Sequence, residues 1–277
     1  MTDTVPDTPP ESLPEVPPGH VFELDGDVAH PTQFARGPWS PEAMHGGAPA
    51  ALLARVVERH DPGSATFVAR LTVDLLRPVP LTALEIAVRT SRPGKKAQWV
   101  DAALLSDGVE VARASALRLR AAPDLGLPLP SAPGPELPPP SASPEFRIQL
   151  ASGATVGFWA AMEVRQAAGS WTEPGPGAVW FRLRVPVVAG EVPSPLQRVA
   201  AAADFGNGVS AVLPRGEYLF INPDVSIHLH RHPAGEWVGL EAATAAEPVG
   251  VGLAVSRLHD ERGPLGMSLQ SLLVDHL

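Results

Sequence analysis

The sequence predicts an α+β protein built from two similar halves, each an antiparallel sheet served by one helix. Three observations predict it: a helix followed by four strands, the return of that order about 150 residues later, and two proline-rich segments that set the halves apart.

In the first half, Ala48–His60 (APAALLARVVERH) follows the Gly46-Gly47 pair. It is rich in helix formers and ends on Glu, Arg and His, which predicts one helix. From Thr66 to Leu75, the residues Phe67, Ala69, Leu71, Val73 and Leu75 alternate with Thr66, Arg70, Thr72 and Asp74. That period of two belongs to a half-buried strand. Ala83–Ser91, Gln98–Leu105 and Val109–Arg120 also read as strands, the last two joined by a turn at Ser106-Asp107-Gly108.

The second half repeats the order. A helix is predicted at Pro195–Ala203, then strands at Val225–Arg231, Trp237–Ala245, Gly250–Leu258 and Gly266–Val274. Arg231 stands where Arg77 stands (231 − 77 = 154), and Gly263 where Gly108 stands (263 − 108 = 155). Phe22–Leu24, Phe158–Arg165 and Ala178–Val185 supply additional strand material ahead of each helix. Of the 33 prolines, six fall in residues 1–18 and nine in 122–144, so both stretches are expected to be extended. The expected division is therefore an N-terminal segment 1–18, a half at 19–121, a linker at 122–144 and a half at 145–277.

Composition narrows the function. Lys plus Arg number 21 and Asp plus Glu 30, a net charge of −9 that argues against a nucleic-acid binder resting on phosphate contacts. The absence of cysteine excludes a disulfide scaffold, thiolate metal sites and a thiol nucleophile. No run of 18 apolar residues occurs, so no membrane span is expected. Acids and prolines stand where a signal peptide would place basic and apolar residues, and the expected compartment is the cytoplasm.

The motifs then accumulate in order. His45-Gly46-Gly47 precedes the first helix and Leu76-Arg77-Pro78 follows the first strand. Asp204 ends the second helix, Phe220-Ile221-Asn222-Pro223-Asp224 leads to His228-Leu229-His230-Arg231, and Gln270 lies in the last strand. Together these resemble the double-hotdog type II acyl-CoA thioesterases and their actinobacterial thioesterase-like relatives. The resemblance spans nearly all the chain outside the proline-rich stretches.

It implies a tandem hotdog, two antiparallel sheets each wrapped around a central helix. It also implies hydrolysis of an acyl-CoA to free acid and CoA, with no cofactor and no metal. By the resemblance, Asp204, Asn222 and Gln270 hold the attacking water, with Asn222 standing where the family carries threonine. His45, Gly46 and Gly47 are implied to face the substrate. Association into a homo-oligomer of pseudo-dimers is implied in the same way. Single-hotdog relatives place a catalytic carboxylate nine residues after the histidine. That place is Ala54 here, so the acid is expected in the second half alone.

Residue chemistry agrees in part with these roles. Gln270 lies among Met267, Leu269, Leu272 and Leu273, where a buried amide needs hydrogen bonds. Asn222 precedes a proline, which interrupts a strand ladder, and such irregularities recur beside active sites. Free N–H groups at the start of a helix after Gly46-Gly47 can face an acyl carbonyl. Gly206-Asn207-Gly208 reads as an exit from the second helix through a left-handed glycine. Glu58 reads as a solvated charge on the first helix. His228, His230 and His232 would share one face of a straight strand, but no carboxylate completes a metal set and Arg231 would repel a cation. The six tryptophans read as core or tunnel wall.

Two rivals remain. One is a catalytically idle acyl-CoA or lipid-binding protein that keeps the same tunnel. The other is a hotdog hydratase or dehydratase, disfavoured because no Gly-Asp precedes Asn222-Pro223-Asp224 and His228.

Overall fold

The computed structural model describes residues 18–61, 66–122, 125–128, 134–148, 153–214 and 216–276. The first half contributes β1 (Phe22–Asp25), β2 (Val28–Pro31), α1 (Gly47–Arg59), β3 (Thr66–Leu75), β4 (Leu84–Arg92), β5 (Ala97–Ser106) and β6 (Val109–Arg120). The second contributes β7 (Glu145–Phe146), β8 (Met162–Ala168), β9 (Gly177–Leu183), α2 (Pro195–Ala203), α3 (Gly206–Val209), β10 (Tyr218–Ile221), β11 (Asp224–Leu229), β12 (Val238–Glu247), β13 (Val251–Asp260) and β14 (Gly263–His276).

The strands form one open 14-stranded sheet, in the order β1-β2-β4-β5-β6-β3-β11-β14-β13-β12-β9-β8-β7, with β10 pairing on β14. The two antiparallel sheets expected from the sequence are thus joined edge to edge into one. β3 and β11 are antiparallel neighbours, Asp74 to Arg70 opposite Asp224 to His228. Left unpaired, each would be an edge strand with a row of open N–H and C=O groups.

Read outward from that seam, the order β3-β6-β5-β4 mirrors β11-β14-β13-β12. The registers repeat as well as the order. Thr72 opposite Ser115, Ala87 opposite Ala103 and Gln98 opposite Arg118 recur as Ser226 opposite Leu269, Glu241 opposite Arg257 and Gly252 opposite Leu272. Each residue has moved by 154 positions (226 − 72, 241 − 87, 252 − 98). At the seam Thr72 therefore faces its own counterpart, and its hydroxyl lies 2.8 Å from that of Ser226.

α1 packs against β3, β5 and β6, α2 against β9, β11 and β12, and the two helices against each other. Alanines make the helix contact close: a Cβ on Gly47 would lie 2.8 Å from the Ala201 carbonyl oxygen.

The expected segment 1–18 lies outside the described residues except for its last member, and 122–144 is described in part. The described end of 122–144 is more ordered than proline content suggests. Pro140–Ala142 form a 3₁₀ turn, the Trp180 indole donates to the Pro138 carbonyl at 2.8 Å, and Arg165 donates to that of Pro140 at 3.2 Å. Proline carbonyls remain acceptors even where the N–H is gone.

Candidate active site

The site begins where α2 ends. Ser194 caps the start of α2, accepting from the Gln197 N–H at 3.1 Å, with Pro195 as first helical residue. At the other end Asp204 keeps helical angles, φ −73° and ψ −10°, and the chain continues into α3. The expected left-handed exit does not occur, since neither Gly206 nor Gly208 has a positive φ. Gly206 is needed for room instead. A Cβ there would sit 2.7 Å from both the Gln270 Oε1 and the Ser256 Oγ.

A carboxylate at a helix C-terminus faces the negative end of the dipole, so it needs donors. Asp204 is 4% exposed and finds two, with a histidine ring beside them. Its Oδ1 accepts from Asn222 Nδ2 at 2.7 Å and more weakly from Gln270 Nε2 at 3.5 Å, while Oδ2 lies 3.0 Å from His45 Nδ1. Gln270, 1% exposed, also donates to the Asp204 carbonyl at 3.1 Å and accepts from the Asn207 N–H at 2.9 Å. It ties the α2–α3 corner to the last strand.

β14 shows how Asn222 and Gln270 come together. Ile221 pairs with Leu273 and Ser226 with Leu269, so four residues, 222–225, stand opposite three, 270–272. Pro223 has no N–H for the ladder, and its carbonyl instead accepts from the Leu75 N–H at 2.7 Å. The extra residue swings the Asn222 amide toward Asp204, and its Nδ2 also donates to the Asp224 carbonyl at 3.1 Å.

The first half reaches the same carboxylate through its His-Gly-Gly. A Cβ on Gly46 would lie 2.8 and 2.9 Å from the Asp204 oxygens, and one on Gly47 2.6 Å from Phe158 Cε1. Only glycine lets this backbone approach. His45 Nδ1 lies 3.0 Å from the Gly47 N as well as from Asp204. The Gly47 N–H donates to this nitrogen, so Nδ1 is an acceptor at the start of α1.

All six residues singled out in the sequence, His45, Gly46, Gly47, Asp204, Asn222 and Gln270, thus converge on one point. Sequence reasoning missed the aromatic wall around them. The His45 ring lies 4.4 Å from that of Phe205 and 5.1 Å from that of Phe158, and Phe205 lies 4.7 Å from Phe181. Phe205 falls in the turn after α2, and Phe158, expected to open a strand, lies in a turn ahead of β8, which starts only at Met162; adjacency to Asp204 was the one available signal for Phe205.

Other expectations need correction. Glu58 is not a solvated helix charge: it accepts from the Ser194 hydroxyl at the start of α2. Burial raises its pKa, against the opposing pull of that hydrogen bond and of Arg59. The three histidines do not line one strand face, because β11 stops at Leu229. His228 and His230 are exposed, while His232 packs on Phe67 and burial lowers its pKa. Among the tryptophans, Trp180 is core but Trp39 is 53% exposed.

The arrangement defines a hotdog-type fold whose helix end presents a buried carboxylate ringed by donors. Three solved structures share the fold. A hot dog fold protein of unknown function from Alicyclobacillus acidocaldarius is 18% identical, covering 92% of this chain and 95% of its own, at a TM-score of 0.70. An acyl-CoA thioesterase II from Mycobacterium marinum is 17% identical with the same coverage, at 0.63. The tesB protein of Mycobacterium avium subspecies paratuberculosis is 15% identical, again over 92% and 95%, at 0.62. No curated protein sequence matches the chain. Models of the acyl-CoA thioesterase N-terminal and C-terminal domains match residues 35–119 and 132–274. The chain belongs to this acyl-CoA thioesterase family. No described helix is long and apolar enough to cross a membrane.

Proposed function

We propose that the chain hydrolyses an acyl-CoA thioester to free acid and CoA, with Asp204 as the base for the attacking water. One observation carries the reading. A carboxylate has about four acceptor positions; Asn222 and Gln270 occupy two on Asp204, and His45 Nδ1, 3.0 Å from Oδ2, stands against a third. The remaining position would take a water O–H.

In this mechanism the water oxygen bonds to the thioester carbon while its proton passes to Asp204. The carbonyl electron pair moves onto oxygen, and the positive end of α1 faces that oxyanion. Collapse breaks the C–S bond, and the leaving thiolate takes the proton back from Asp204. Asn222 and Gln270 orient the carboxylate and the water. Phe158 and Phe205 keep bulk water from the reacting atoms.

The same reading divides the chain into hotdog units at 19–121 and 145–277, each half of the sheet curling around its own helix, with 122–144 as the linker. It also takes the protein as a cytoplasmic pseudo-dimer able to associate further. The test is release of CoA from short, medium and long acyl-CoAs, followed with a thiol reagent. Turnover by the parent, lowered at least about 10²-fold in Asp204→Asn with acyl-CoA binding retained, is the expected result. Binding without turnover in the parent would replace this reading with that of an idle acyl-CoA binder. Such an outcome would point to Asn222, both of whose amide hydrogens are committed to Asp204 and Asp224.

A further inference from the structure

The molecule carries a polar recess away from Asp204. It measures about 540 Å³ and is lined by Thr66, Lys95, Lys96, Gln98, Arg118 and Arg120 with the turn residues Pro93 and Gly94. β3 measures the separation. Thr66 begins β3 at the recess, while Leu75 ends it against Gly46 beside the Asp204 carboxylate. Ten residues at ~3.3 Å each put the two places about 30 Å apart.

Its charge stands out in a chain of net charge −9. Lys95 and Lys96 are the only lysines in the sequence, and both are here, on the β4–β5 turn. Arg118 forms the floor and is 2% exposed. It donates to Thr66 Oγ1 at 2.8 Å and to the His60 and Asp61 carbonyls at 2.6 and 3.3 Å. Those carbonyls end α1, whose dipole supplies roughly half a negative charge and so offsets only part of one guanidinium. Among the described residues, no ion pair involves Lys95, Lys96, Arg118 or Arg120. Four cations thus converge without a carboxylate.

The second half supplies an internal control. The 154-residue offset maps Lys95, Lys96, Gln98, Arg118 and Arg120 onto Val249, Gly250, Gly252, Leu272 and Val274. One backbone contact is kept in both places: the Arg120 N–H donates to the Lys96 carbonyl at 2.9 Å, and the Val274 N–H to the Gly250 carbonyl at 2.9 Å. The turns themselves differ, with a bulge between Thr90 and Arg92 in the first copy and a φ of +82° at Gly250 in the second. Corresponding strand ends therefore carry four cations in one copy and none in the other. The fold does not require the charges.

We propose that this recess binds the phosphate groups of a small molecule, at a site separate from the thioester chemistry. Flexible Lys95 and Lys96 and the Arg120 guanidinium would contact phosphate oxygens at the rim, over an Arg118 floor fixed by its hydrogen bonds. Phosphate could be presented by a free nucleotide or by CoA itself, and the experiment separates these sources.

Calorimetry would measure binding of inorganic pyrophosphate and adenosine 3′,5′-bisphosphate to the whole chain and to a Lys95→Ala/Lys96→Ala variant. Both substituted residues are exposed, so the variant should fold, which circular dichroism checks. Expected is saturable binding by the parent, weakened by salt and at least about 10-fold weaker in the variant. Equal affinity in the two proteins, or no binding by the parent at millimolar ligand, overturns the proposal. An unchanged KM for acyl-CoA in the variant is expected and assigns the site to a separate phosphate compound. A KM raised by the same factor overturns the separation and assigns the site to the phosphates of the substrate. The binding arm needs no turnover, so its failure is distinct from failure of the thioesterase reading.

Discussion

The starts of α1 and α2 are two versions of one arrangement: each helix N-cap meets a carboxylate from the far end of the other helix. At the α1 pole the cap is Gly46 and the carboxylate Asp204; at the α2 pole they are Ser194 and Glu58. Gly46 has no side chain, so Asp204 is left to His45, Asn222 and Gln270. Ser194 has a hydroxyl, and it donates to Glu58 itself. The strands complete the contrast, because the 154-residue offset puts Val68 and Ala116 where Asn222 and Gln270 stand. A duplicated frame thus keeps polar chemistry at one pole and closes the other with a cap and apolar residues. One missing side chain separates a carboxylate held by residues of the strands and of the His-Gly-Gly turn from one held by the helix cap itself.

The largest expected difference is catalytic. Asp204→Asn should lower CoA release by about 10²-fold or more, the loss typical of removing a general base, whereas Glu58→Gln should leave kcat within about twofold. Comparable losses at both poles would mean that the two carboxylates act as a pair and that the contrast is wrong.

Next comes Gly46→Ser, which copies the α2 cap onto the α1 pole. Its Cβ would fall within 2.9 Å of both Asp204 oxygens, so the carboxylate must move. A misplacement near 1 Å can cost up to about 10²-fold, and a drop of roughly 10-fold or more in kcat is expected. Unchanged kinetics would show that Asp204 does not need the space. Asn222→Thr should have a smaller effect, within roughly fivefold, because a hydroxyl replaces only one of two N–H donations. Steady-state rates with circular dichroism decide both cases.

Much of this contrast could be read in the sequence, and the reasons are local. β3 and β6 fall where alternation puts them, and α2 where its helix formers put it, although α2 is buried nearly all round. The offset between Arg77 and Arg231 already equals the register offset of the sheet. That two repeated sheets join edge to edge follows from the repeat, but the choice of β3 and β11 as the edges is decided by strands meeting in space. Asp204, Asn222 and Gln270 were each conspicuous as polar groups at helix end, strand break and apolar strand. Phe158 and Phe205 were not, because residues in turns acquire partners only when the chain folds. Glu58 was misread for a related reason: its helix position suggested solvent, and Ser194, 136 residues away, supplies both its burial and its hydrogen bond. The docking of Pro138 and Pro140 on Trp180 and Arg165 escaped too, since proline density reports missing donors but says nothing about carbonyl acceptors.

The smallest expected effect tests the closed pole. Burial lifts the Glu58 carboxyl above its ordinary range, although the Ser194 hydroxyl and Arg59 pull it back in part. A carboxyl whose folded pKa exceeds its unfolded value is favoured by folding in its protonated form. Ionised Glu58 therefore lowers stability once the pH is above its folded pKa, and the cost fades as the pH falls to the unfolded value. Glu58→Gln removes that ionisation and keeps an acceptor for Ser194. It should raise Tm by roughly 1–3 °C at pH 7.5, and the gain should shrink to nothing as the pH approaches about 4. Thermal melts of parent and variant across this range supply the comparison. A variant less stable at pH 7.5, or a difference that ignores pH, would mean that Glu58 is stabilised as an anion at the α2 cap, as a helix N-terminus can do for an acid. The two poles would then differ in their strand partners and not in how they treat a buried charge.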